Sequence, residues 1–407
     1  MHSRVLSYED AACAVREQAA AVRPSCTESV SLLDSLRRTL AQPIIADRDQ
    51  PPFARSTRDG FACCSADLAA VKPLTIIGRL RAGEFWSGPA LQPYQTIEIM
   101  TGAPVPAGAD CVLMVEHASI EASHVTPTHS LQPGENIVPA GAEARAGATL
   151  IEPGTRIQPQ PIALAAACGY ETLSVYAQPR VAILATGDEL VPLSQQPLLF
   201  QIRNSNSYSL AAQVARYGGR PILHPVVRDS LEASEAAIRA ALDFDLLILS
   251  GGVSMGKYDF VEQALANLNA DFFFTGARIQ PGRPVVFGQL PAPSAKNLYF
   301  FGLPGNPVST LVTFTLFAAP LLAALAGQKL IHPQFAQARL ARPVEVKPNL
   351  TRFLPAYLES SIAGATIRPI PWQGSGDQSA AARTNCFLVV PQDTALSAGD
   401  LATFLRL

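Results

Sequence analysis

The stretch RVAILATGDEL at positions 180–190 runs five apolar residues straight into a polar, glycine-containing loop. Two later stretches repeat the pattern: DLLILSGGVSMG at 245–256 and LYFFGLPGNPVS at 298–309. Short aliphatic runs without polar alternation suit strands buried on both faces, which is the condition of a parallel sheet. Helical spacing separates them near Ser207–Tyr217, Leu231–Leu242 and Phe260–Leu268. Further strand-like runs stand at 221–227, 271–275 and 284–290, and a long helical pattern follows Pro307. Alternation of this kind predicts a doubly wound α/β domain over 177–327, its parallel strands joined by right-handed crossovers.

In such a sheet, ligands bind outside the carboxyl ends of the strands. The three loops therefore converge on one edge: Gly187-Asp188-Glu189, then Ser250-Gly251-Gly252 with Ser254 and Gly256, then Pro304-Gly305-Asn306-Pro307. Glycine admits close approach of backbone N–H groups, and each following helix begins with partial positive charge, so a phosphate-bearing ligand is the natural occupant. Asp188, Glu189 and Asp259 bring carboxylates to the same loops. A cation between carboxylate and phosphate suits Mg²⁺, which takes one or two carboxylates plus phosphate oxygens and water. Arg283, in a Pro-Gly-Arg-Pro turn, could clamp an anion through two parallel hydrogen bonds.

Outward from this core the character changes. Residues 5–23 and Ser29–Ala41 have helical spacing, whereas Ile44 to about Ala140 alternates short apolar runs with Pro/Gly turns, the mark of an inserted β module. Residues 328–407 return to short extended runs and read as a small β domain. In the inserted module two loops stand out, 55–62 with its Asp59-Gly60 turn and 101–110 beginning at Thr101. Both sit on rigid supports, where function concentrates.

Lys plus Arg is 31 against 33 for Asp plus Glu, a net charge of −2 that argues against a nucleic-acid backbone binder. Seven scattered cysteines with no C-x-x-C spacing point to free thiols in a reducing compartment and away from structural zinc or a disulfide framework. Glu9, Asp10 and Glu17 interrupt any signal-peptide core, and the apolar run 308–327 carries Ser, Thr and Pro, so a buried helix and a cytoplasmic location are expected, with no membrane partner.

The stretches PPFARSTRDGFA (51–62), TGAPVPAGADCVLMVE (101–116), PGENI (133–137), ATGDEL (185–190), LSGGVSMGKYD (249–259), PGRPVVFG (281–288) and GLPGNPVS (302–309) resemble, in order, the motifs of the molybdopterin molybdenumtransferase family, MoeA and the matching domain of gephyrin. The resemblance implies four parts: an elongated discontinuous domain (1–45 and 142–176), an inserted β domain (46–141), the molybdopterin-binding α/β domain (177–327) and a C-terminal β barrel (328–407). It implies a homodimer with shared active sites and contact with the adenylyltransferase acting upstream. The implied reaction joins molybdate to the dithiolene of adenylylated molybdopterin, with Mg²⁺-dependent release of AMP. On that analogy Asp188 and Glu189 hold the metal, and Asp59, Thr101, Glu189 and Asp259 are catalytic, the first two reaching the ligand from the partner subunit. Ser250, Gly251, Gly252, Ser254, Gly256, Arg283, Pro304, Gly305, Asn306 and Pro307 bind the substrate on the same analogy.

Departures from the family pattern include Thr57-Arg58 in the first motif, Val138-Pro139-Ala140 after PGENI, and Gln280 before Pro281 where a lysine is usual. The alternative reading is a paralogue that binds molybdopterin-type ligands without turnover.

Overall fold

The computed structural model describes residues 4–24, 26–252, 260–292, 297–329 and 332–407. Six strands of the α/β part form one sheet. In chain order they are β1 (Arg180–Ala185), β2 (Arg220–Leu223), β3 (Leu246–Ser250), β4 (Asp271–Phe274), β5 (Val286–Leu290) and β6 (Leu298–Leu303). Their spatial order is β2-β1-β3-β6-β5-β4. The first four of that order run parallel, as expected. Only β5 runs against them: it is antiparallel to both β6 and β4, so β4 points the same way as the first four. The connection 291–297 is shorter than the dozen or more residues of a parallel crossover, so β5 and β6 fold back as a hairpin.

Burial on both faces follows from strict alternation. Val181, Ile183, Ile248 and Phe301 enter one core; Ala182, Leu184, Leu247 and Phe300 enter the other. Phe287 stacks on Phe301 across the hairpin with ring centroids 4.4 Å apart. The helices Asn206–Arg216, Leu231–Ala240 and Phe260–Asn267 cover the sheet near the expected positions.

The helix after Pro307 is continuous from Pro307 to Leu325 but contains a π-turn at Phe314–Ala318, where the Ala319 N–H donates to the Phe314 carbonyl. Pro320 lacks an N–H, so the helical ladder has a missing donor directly after this turn. By length and composition this helix could cross a membrane, yet 83% of its apolar 18-residue stretch is buried inside the protein.

Two expectations for the N-terminus change. The first helix starts at Tyr8, capped by the Ser7 hydroxyl accepting from Asp10 N–H at 3.0 Å, while Val5–Leu6 pairs as a strand with Gly276–Ala277. No helix spans Ser29–Ala41. Thr27–Ser31 is a strand paired antiparallel with Thr172–Tyr176. The Ser31 hydroxyl then takes the Asp34 N–H in a single turn, and Arg37 at φ 67° ends it. Local side-chain bonding and the strand partner outweigh the leucine spacing; Leu33 is left exposed.

Ile44–Ile45 likewise pairs with Thr149–Ile151, so the segments before and after the inserted module form one unit. Between them, six strands at 60–63, 74–80, 95–99, 111–114, 118–121 and 124–127 make a single sheet. In the C-terminal part, Thr351–Ser361 pairs with both Gly364–Pro369 and Cys386–Val390, which closes five strands into a barrel.

Candidate functional site

The carboxyl ends of β1, β3 and β6 meet at a cavity of about 1050 Å³. The convergence expected from sequence is therefore present. Thr186, Gly187 and Glu189 enter the wall after β1, Ser250, Gly251 and Gly252 after β3, and the whole Pro304-Gly305-Asn306-Pro307 turn after β6. Its volume is at the upper end of the ~300–1,000 Å³ usual for small-molecule sites, which suits a large ligand.

Gly251 and Gly252 adopt φ of 90° and 64°, and a Cβ on Gly251 would stand 2.7 Å from the Thr186 carbonyl oxygen. The turn can thus be made only by residues without side chains, and it leaves the backbone bare toward the ligand. The helices Asn206–Arg216 and Pro307–Thr313 both begin at this cavity, directing partial positive charge into it. The Thr186 hydroxyl is buried in the wall and has no hydrogen-bond partner among the described residues.

Several wall residues had not stood out in the sequence. Asn206 ties two strand tips together: its amide donates to the Ser250 hydroxyl at 3.0 Å and to the Gly305 carbonyl at 2.7 Å. The only hint was the polar run Asn204-Ser205-Asn206-Ser207 at a helix start. The barrel supplies another part of the wall. Gln378 donates to the Ser205 hydroxyl at 2.5 Å and Asn306 to the Ser375 hydroxyl at 3.0 Å, so the 375–378 loop is fastened over one side. Among the described residues, Arg203 is the one cation in the lining.

The carboxylates sort differently from expectation. Glu189 and Asp229 line the cavity, whereas Asp188 is exposed outside the wall. The Asp188 N–H donates to the Asp229 carboxylate and the Asp229 N–H to that of Asp188, each at 3.3 Å, so Asp188 braces two loops. Arg283 is also exposed, and its neighbour Pro284 takes the place in the wall. Ser254, Gly256 and Asp259 lie outside the described residues.

Asp59 and Thr101 form a compact pair on the surface of the inserted sheet, because the register Gly60↔Ile99 brings their loops side by side. The Thr101 hydroxyl and the Thr101 main-chain N–H hold the Asp59 carboxyl below the usual carboxylate range. Neither residue lines the cavity of its own chain.

Family comparisons agree along the whole chain. Residues 6–169 match the MoeA N-terminal region (domain I and II), 182–324 a probable molybdopterin binding domain, and 337–407 the MoeA C-terminal region (domain IV). The molybdopterin molybdenumtransferase of Bacillus subtilis is 35% identical over 379 residues, covering 90% of this chain and 86% of that one. That of Haemophilus influenzae is 32% identical over 389 residues, covering 93% and 94%. A crystal structure of the molybdopterin biosynthesis MoeA protein from Pyrococcus horikoshii OT3 superposes with a TM-score of 0.82 at 25% identity, over 99% of this chain and 100% of that one. With its motifs in order, its strand tips gathered on one cavity and relatives matched end to end, the chain belongs to the molybdopterin molybdenumtransferase family.

Proposed function

We propose that this chain performs the molybdenum-insertion step of molybdenum cofactor biosynthesis, placing molybdate on the dithiolene of adenylylated molybdopterin and releasing AMP. The observation that carries the reading is the junction of three glycine-containing strand tips and two helix N-termini on one large cavity.

In this reading the bare Gly251-Gly252 backbone and the helix starts hold the phosphates. The Thr186 hydroxyl offers a further bond to the ligand, and Asn206 keeps the Ser250 and Gly305 tips at fixed separation. Glu189 and Asp229 present oxygen donors only, which fits Mg²⁺ held by one or two carboxylates together with phosphate oxygens. Bound there, the ion would neutralise phosphate charge during loss of AMP. No group of three or more His, Cys, Asp or Glu gathers for a metal among the described residues, so the ligand's own phosphates would have to complete the coordination. The dithiolene is itself the nucleophile toward molybdenum, so the protein need supply no catalytic Ser or Cys. The exposed Asp59–Thr101 pair fits a homodimer in which this loop of one protomer faces the cavity of its partner. There the hydroxyl can donate to a molybdate oxygen and the carboxylate can accept a proton. Tungstate has the same charge and shape and would be handled alike.

A second reading, binding without turnover, is favoured by the sparse positive charge: among the described residues Arg203 alone is a cation in the cavity wall, and Gln280 stands where the family has lysine. Purified chain incubated with adenylylated molybdopterin, Mg²⁺ and molybdate separates the two. AMP release with formation of active cofactor supports the enzyme; saturable ligand binding without AMP release supports the carrier.

A further inference from the structure

A second cavity, of about 510 Å³, lies where the linker segment 154–158, the π-turn helix and the end of the barrel meet. It shares no lining residue with the strand-tip cavity. Among the described residues its wall holds Arg156, Arg216, Lys329 and Arg406, with His332 beside them and no Asp or Glu side chain. None of the four forms an ion pair among the described residues.

These charges are positioned, not scattered. The Arg156 guanidinium donates through one terminal nitrogen to the Arg216 carbonyl at the end of the helix 206–216, while its buried Nε has no hydrogen-bond partner. The stem of Lys329 lies across Gly154, where a Cβ would come within 2.5 Å of it, and the Lys329 N–H donates to the Gly154 carbonyl at 3.0 Å. Burial, then Arg37 and Arg216, pull the Arg156 proton affinity down, the sign of a cation short of compensating charge.

Like charges gathered without a carboxylate repel, and a multiply charged anion reverses the sign of that energy. A cavity of this size accommodates a diphosphate with a nucleoside attached. We infer that this is a second ligand site, distinct from the strand-tip cavity, that takes an oligophosphate anion across the junction of the linker, the α/β domain and the barrel. An anion seated on Arg156, Arg216, Lys329 and Arg406 ties the three segments together and stiffens their junction. The inference stands apart from the assignment of molybdenum insertion.

Isothermal titration of the full chain with inorganic pyrophosphate, and separately with ADP, tests it. Pyrophosphate should bind, with affinity falling at least tenfold in Lys329→Gln and in Arg156→Gln and staying within twofold in Arg203→Gln. Lys329 is exposed, so K329Q tests the site even where R156Q disturbs packing. ADP bound as tightly as pyrophosphate identifies a nucleotide as an acceptable source of the diphosphate; pyrophosphate alone identifies the inorganic anion. Absence of binding at physiological salt, or binding lost in R203Q and kept in K329Q, overturns the inference.

Discussion

Thr101 sends both its hydroxyl and its main-chain N–H to a single oxygen of Asp59, each at 2.7 Å. Two donors on one carboxylate oxygen favour the ionised form, the hydroxyl more than the N–H, so Asp59 titrates below its ordinary value. Thr101→Val keeps the size and the backbone donor but removes the hydroxyl. The Asp59 carboxyl, followed by NMR, should then titrate upward toward the ordinary ~3.9. Because the folded value is the lower one, the pair stabilises the fold above the unfolded pKa and loses that contribution as pH falls through the folded value. The gain is small at so exposed a site. Any stability gap between wild type and variant should close in strong acid, and an unmoved Asp59 titration would show that the hydroxyl does not set it.

Asn206 is a joint with no apolar substitute. Its amide reaches Ser250 and Gly305, which belong to different strand tips. Asn206→Ala leaves the buried Ser250 hydroxyl without that donor and should cost about 1–3 kcal/mol in denaturant unfolding. Asn206→Asp should be worse, since it sets a carboxylate against the Gly305 carbonyl. Affinity for adenylylated molybdopterin, measured by quenching or calorimetry, should fall in the order wild type, Ala, Asp. An Asp variant that binds as tightly as wild type would remove Asn206 from the site.

These two pairs mark the boundary of what the sequence discloses. The strand tips were legible because an aliphatic run ending in glycine has one physical meaning in a parallel sheet, and all three tips lie where that meaning places them. Asn206 and Gln378 were not, since a polar residue at a helix start is usually a cap, and only the tertiary fold brings the 375–378 loop across the cavity. Asp229 stayed hidden for a similar reason: it follows β2, which carries no glycine signature, yet it and not Asp188 stands in the wall. The reversed β5 also escaped, because strands buried on both faces read alike in either direction. Residues 29–41 misled outright; leucine spacing cannot register that Thr27–Ser31 has a strand partner some 140 residues downstream, at Thr172–Tyr176.

Gly251 carries a prediction of a different kind, because both its backbone angle and its surroundings exclude a side chain. At φ 90°, with the Thr186 carbonyl 2.7 Å from any Cβ, Gly251→Ala strains the turn by about 1–3 kcal/mol and fills the cradle. Affinity for adenylylated molybdopterin should drop at least tenfold. Gly364→Ala is the control: φ is 136° but nothing lies within 4 Å, so strain appears without loss of ligand binding. Equal ligand affinity in G251A and G364A would argue against a phosphate cradle at this turn.

Thiol reactivity separates exposed cysteines from buried ones and tests the claim that turnover uses none. Cys13 and Cys26 are exposed, whereas Cys63, Cys111, Cys168 and Cys386 are buried. The Cys63 and Cys111 sulfurs sit 3.7 Å apart across paired strands, and that contact together with burial pushes the Cys111 thiol far up. Burial, opposed by a hydrogen bond with the Leu358 backbone, pushes Cys386 up to about 12 from 9.0. Thiolate is the reactive form, so native protein at pH 8 should label rapidly at Cys13 and Cys26, with the four buried thiols reacting only after unfolding. Labelled protein should keep its AMP release; loss of turnover on labelling would reopen a role for sulfur. The raised pKa of Cys386 also fixes a sign. The folded state retains this proton where the unfolded state gives it up, so the contribution is whole below pH 9 and is lost as pH climbs toward 12. Replacing Cys386 with alanine should therefore flatten the alkaline decline in unfolding free energy, while leaving a cavity penalty that is the same at every pH.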